Sequence, residues 1–137
     1  MNAYDPLYVA YLYYFNVTRD YFECHEVLEE LWMQDGRNPL WQGLLQVAVG
    51  LYHHRNGNVS GAGKLLRAAV EKLASYPPET AGMNLGRLVA ESRDYAQRLQ
   101  HEEGVVFRDL TIEIVDPELE EQVDRLRAHP PVPHDES

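Results

Sequence analysis

Phe22-Glu23-Cys24-His25-Glu26-Val27-Leu28-Glu29-Glu30-Leu31-Trp32 is the run on which the reading of this chain turns. At about 100° per residue, Val27, Leu31, Cys24, Leu28, Tyr21 and Trp32 fall on one continuous arc, as in an amphipathic helix. Glu23, Glu26 and Glu30 fall opposite, toward water. His25 and Glu29 lie between that arc and a second apolar pair, Phe22 and Met33, and one helical turn separates them, so their side chains can touch. That position predicts partial or full burial for both. The spacing predicts a helix over 18–34 with Thr18 as N-cap, closed by the turn residues Asp35-Gly36-Arg37-Asn38.

The next helix opens at Pro39, a first-turn proline, and runs to 55. Leu40, Trp41, Leu44, Leu45, Val47, Ala48, Leu51 and Tyr52 cover more than half its circumference, which makes it central. Its remaining face carries Gly43, Gln46, Gly50 and His53. Glycines cost helix stability but admit a neighbouring backbone, so this polar stripe is expected to be packed. A packed Gln46 and His53 need hydrogen-bond partners, and His25 and Glu29 of the preceding helix are the nearest supply.

Working outward, Asp5-Pro6 starts a first helix over 5–16, in which Tyr4, Tyr8, Tyr11 and Phe15 form an aromatic stripe expected at the edge of the core. Asn56-Gly57-Asn58 is a stop and restart, glycine for the left-handed position and Asn58 as the next N-cap. Ala62, Leu65, Leu66, Ala69, Val70 and Leu73 mark a fourth helix over 59–75, and Leu85, Leu88, Val89, Ser92, Ala96 and Leu99 a fifth over 84–101. The third and fourth helices read as an antiparallel pair of the tetratricopeptide type, without recurrence at a period of about 34 residues. Residues 105–115 are β-branched and read as a short strand or an extended arm over the bundle. Asp116-Pro117 opens a short acidic helix over 117–128, and 129–137 is expected to be a disordered tail. The expectation is an all-α, compact bundle of five to six helices forming a single domain over 1–128.

Composition narrows the function classes. The net charge is −10, with 11 acids against 9 Lys/Arg in residues 1–100 and 11 acids against 3 Arg in residues 101–137. A field of that sign argues against a nucleic-acid partner, which needs clustered cations. The longest uncharged stretch, 40–54, is 15 residues, short of a membrane span. No basic leader precedes Asp5, and the single cysteine, Cys24, rules out an internal disulfide and a cysteine-built zinc knuckle. A cytoplasmic protein is expected. Cys24 lies on the apolar arc, where a thiol is inert. Ser60 and Ser92 lack a nucleophile-elbow context, and Gly57, Gly61 and Gly63 suit tight turning and close helix contact better than a phosphate loop. His54 and His101 are expected at the surface.

Phe15-Asn16, the run 21–32, Gly43-Leu44-Leu45-Gln46-Val47-Ala48, His53, Gly57-Asn58 and Gly61-Ala62 together resemble a prokaryotic family of small all-helical proteins, domain of unknown function 309. The likeness covers 8–75 and leaves 102–137 outside it. It implies a compact multi-helix bundle, places His25, Glu26, Glu29, Gln46 and His53 on the family's recurrent polar positions, and implies no activity.

Two functions follow. The first is a non-enzymatic module that binds a protein or small ligand through a helical surface, anchored by Trp41, Tyr52 or the tyrosines of the first helix. His25, Glu26, Glu29, Gln46 and His53 would then be a ligand-binding or structural polar cluster. The second is a metal-dependent, hydrolytic enzyme in which His25, Glu29 and His53 hold a divalent metal with Gln46 behind them. The pattern is not the His-Glu-x-x-His of zinc proteases, and no catalytic residue is nominated. The oligomeric state stays open.

Overall fold

The computed structural model describes residues 4–132. Helix α1, Pro6–Tyr13, starts where Asp5 caps the amide of Leu7, and runs directly into a π-helical turn, Tyr14–Thr18. Arg19, at φ 57, reverses the chain, and Asp20 caps α2, Tyr21–Gln34, by accepting from Glu23 N. The expected cap, Thr18, instead closes the π turn by donating to Tyr14 O at 3.4 Å. A short turn through Gly36 and Arg37, both left-handed, sends α3, Pro39–Arg55, back antiparallel to α2. Gly57, at φ 86, and Asn58 end α3 and cap α4, Val59–Leu73.

A hairpin that was not foreseen follows. Strands β1, Glu79–Thr80, and β2, Met83–Asn84, pair antiparallel around Ala81-Gly82, Glu79 opposite Asn84 and Thr80 opposite Met83. Both turn residues have positive φ, 51 and 77, as a two-residue hairpin of this hand requires. A Cβ on Gly82 would lie 2.6 Å from the Tyr4 hydroxyl, so no other residue fits there. Asn84 then caps α5, Leu85–His101, and Asp116 caps α6, Pro117–Ala128.

Successive helices pack in series, α1 on α2, α2 on α3, α3 on α4 and α4 on α5, and α6 returns to α1. The architecture is a compact all-α bundle, as the periodicity predicts, with its core along α1 and α3. In α1, Tyr8, Tyr11, Leu12 and, just beyond it, Phe15 are at most 1 % exposed, so the aromatic stripe lies inside the core and not at its edge. Tyr11 donates to Leu44 O at 3.0 Å and Tyr8 to Ala81 O at 2.8 Å, giving each buried hydroxyl an acceptor.

Residues 105–115 form the extended arm. It touches the hairpin through one antiparallel bridge, Met83 with Ile114, flanked by Asn84 N to Glu113 O at 2.8 Å and Val115 N to Gly82 O at 2.8 Å. Elsewhere side chains hold it. Asn16 donates to Ile112 O at 2.8 Å and accepts from Ile112 N at 2.9 Å, as a neighbouring strand would. Arg19 donates to Leu110 O, and Tyr21 donates to Asp109. Of the tail expected to be disordered, 129–132 follow α6 without helix or strand, and 133–137 lie outside the described residues.

Candidate functional site

The polar residues of α2 gather on its outer face. His25 Nδ1 lies 3.3 Å from Glu26 Oε1, and Nε2 lies 3.1 Å from Glu29 Oε2. The three side chains are 34 %, 33 % and 53 % exposed. The Glu26 contact has hydrogen-bond geometry, and the Glu29 contact is at ion-pair distance. The cluster is thus a half-open pairing of one imidazole with two carboxylates, confined to one helix.

Glu29 is therefore exposed where burial was expected. The second apolar pair that was to enclose it is itself largely open among the described residues: Phe22 is 41 % exposed and Met33 61 %. The buried side of α2 is turned the other way, toward α1, and takes in Glu23 at 2 % exposure, a residue expected in water. Being wedged between α1 and α3 gives α2 two buried flanks, and a single-stripe reading places only one of them.

The expected partners on α3 are engaged elsewhere. Gln46 accepts from Lys72 Nζ of α4 at 3.1 Å. The glycine stripe also faces α4: a Cβ on Gly43 would lie 2.6 Å from Leu73 Cδ2, and one on Gly50 3.0 Å from Leu66 Cγ. His53 is half-buried, edge-on to Tyr52 at 6.1 Å between ring centroids. Among the described residues no hydrogen bond or ion pair joins His25 or Glu29 to Gln46 or His53, and no three His, Cys, Asp or Glu side chains are grouped to hold a metal ion. The contacts expected between His25 or Glu29 of α2 and Gln46 or His53 of α3 are thus not among those that join the described residues. What does join the two helices on this side is aromatic, Phe22 against Tyr52 at 6.5 Å.

Of the other nominated anchors, Tyr8 and Tyr11 are enclosed. Trp41 is half-buried, packed on Tyr8 at 5.1 Å, and donates to Asp35 at 2.8 Å, which helps hold the Asp35 carboxyl below its usual range. Cys24 is buried as expected, and burial pushes its thiol well above its ordinary value.

The buried polar centre lies where sequence reasoning put a surface residue. His54 is 7 % exposed. Its Nδ1 is 2.6 Å from the Tyr95 hydroxyl and its Nε2 3.1 Å from Val105 O. The carbonyl can only accept, so Nε2 donates to it; Nδ1 pairs with the Tyr95 hydroxyl, whose oxygen also accepts from Arg108 N at 3.2 Å. One imidazole thereby ties α3 to α5 and to the arm. The signal was present: 40, 44, 47, 51 and 54 continue one 4-3-4-3 spacing along the apolar face of α3.

Comparison with known proteins gives a family and no activity. The family model described as "Domain of unknown function (DUF309)" matches residues 8–65. The chain is 37 % identical over 123 residues to the uncharacterized protein YpuF of Bacillus subtilis, covering 86 % of this chain and 70 % of that one. It is 29 % identical over 76 residues to an uncharacterized protein of Aquifex aeolicus, covering 53 % of this chain and 23 % of that one. No solved structure matches the chain significantly. The family model and the extent of the likeness to YpuF agree with the helical core described above, and the chain belongs to the DUF309 family.

Proposed function

We propose that this protein is a non-enzymatic binding module whose docking face is the outer side of α2 with the adjoining part of α3. The observation that carries the reading is the pairing of His25 with Glu26 and Glu29 beside an exposed Phe22 that rests on Tyr52. Aromatic side chains are enriched at interfaces and supply their anchors, with polar groups at the rim. Phe22 and Tyr52 supply the apolar anchor, and His25, Glu26 and Glu29 the polar contacts. His53, edge-on to Tyr52, would border the surface, whereas Gln46 is turned to Lys72 of α4. We place this activity in the cytoplasm, a reading supported by the lone buried cysteine.

A photoactivatable cross-linker at position 22 tests this, with the same group at Lys64 as the control surface. The expected outcome is one discrete adduct in cells from position 22, and a partner that rebinds the purified protein with an affinity lost in Glu26→Lys/Glu29→Lys. Adducts equal at both positions, or binding indifferent to the charge reversal, would overturn the reading.

A further inference from the structure

The chain has ten arginines, and eight of them find a partner within it. Arg19 and Arg55 donate to backbone carbonyls, Arg37 and Arg108 lie over the rings of Trp32 and Tyr95, and Arg87, Arg98, Arg125 and Arg127 pair with carboxylates. For Arg67 and Arg93 there is no hydrogen bond, ion pair or ring contact among the described residues. Both line the same groove, a volume of about 480 Å³ between α4 and α5. In a chain of net charge −10, where carboxylates outnumber cations, two guanidiniums at one groove, neither ion-paired among the described residues, form a localised positive site.

The rest of the groove is suited to a ligand with an apolar part. Val70, half-buried, and Ala96, 3 % exposed, form its floor, and Gln97 offers an amide at its wall. Glu71 is the one carboxylate in the lining, leaving a net positive charge there. The volume falls within the roughly 300–1,000 Å³ usual for small-molecule sites. A guanidinium fork matches the oxygens of a carboxylate or phosphate, and an exposed fork is weak unless apolar contact adds to it.

We propose that the α4–α5 groove binds a small organic anion, its charged group held by Arg67 and Arg93 and its apolar body lying on Val70 and Ala96. The site is on a different face from α2 and stands independently of the function proposed above.

Phenyl phosphate and hexanoate are the probes, with phenol and inorganic phosphate as controls, followed by amide chemical shifts and calorimetry on the full chain. Saturable shifts confined to 67–71 and 93–97 are expected from at least one organic anion. Its affinity should fall about tenfold or more in Arg67→Ala/Arg93→Ala and rise in Glu71→Gln. Neither arginine bonds to another described residue, so the double variant keeps the fold, checked by circular dichroism. Binding of phenol as tight as phenyl phosphate would remove the role of charge, and inorganic phosphate binding as well as the organic anions would remove the role of the floor. Either result, unsaturable scattered shifts, or an unchanged double variant overturns the proposal.

Discussion

His54 and Glu29 show how burial at single residues is decided by what packs over them. The imidazole of His54 has both nitrogens engaged, one by a phenol and one by a carbonyl. Truncation to alanine removes the imidazole partner of the Tyr95 hydroxyl, which keeps only the amide of Arg108, and the N–H donor to Val105 O, and it opens a cavity, so His54→Ala should cost about 3 kcal/mol. Chemical denaturation measures the loss, and the amide of Arg108 should exchange faster with solvent. A loss below about 1 kcal/mol would mean that the centre is hydrated or rearranges freely. His25→Ala is the counterpart on the surface: its carboxylate partners are a third or more exposed, so stability should barely change and any effect should appear in binding.

Among the elements, α3 and α4 pack closest, and two glycines set their separation. At Gly43 an added methyl would meet Leu73 at 2.6 and 2.7 Å, a contact that forces the leucine to move. At Gly50 the nearest atoms are at 3.0 and 3.1 Å, tight but within reach of a small shift. Alanine gains about 1 kcal/mol over glycine in a helix, whereas overpacking costs about 1–3 kcal/mol. Gly43→Ala should therefore be net destabilising by about 1–2 kcal/mol, and Gly50→Ala close to neutral. Thermal unfolding of the two variants side by side checks the order, and equal effects would contradict the geometry. The arm is the opposite kind of element, joined to the sheet at one bridge and held elsewhere by side chains, Asn16, Arg19 and Tyr21 from the π turn to the start of α2, His54 from α3 and Tyr95 from α5.

Across the whole molecule, the ends of the chain are joined where Tyr4 donates to Asp116, next to α6 lying on α1. That bond raises the Tyr4 hydroxyl to about 12 and lowers the Asp116 carboxyl below its usual range. Tyr14 is raised to about 12 as well, chiefly by burial. The native chain thus keeps phenolic protons that the unfolded chain releases near 10, so stability is complete below about pH 10 and falls as pH rises toward about 12. For Asp116 the sign reverses: its contribution is present above the usual carboxylate range and lost as pH falls through its lowered value. Tyrosinate absorbance and helical circular dichroism should change together in a single alkaline step, as expected of one cooperative unit over residues 1–128. Release of these protons while the helices stay intact would show that the raised values carry no folding energy.

The sequence by itself determined the helices and several of their ends, because apolar periodicity and capping residues act within a few positions of one another: Pro39–Arg55 and Pro117–Ala128 match their predicted bounds, whereas α2 starts at Tyr21 under Asp20 and not at Thr18. It also named the family through the pattern across α1 to α4. Only the tertiary structure decided where the polar flanks of α2 and α3 are turned. α2 is covered on two flanks, which turns Glu23 in and Glu29 out, and α3 directs its glycines and Gln46 to α4. His54 became a buried centre because the arm, some fifty residues later in the chain, folds back over it at Val105. Side-chain burial depends on such distant neighbours, and local spacing does not encode them.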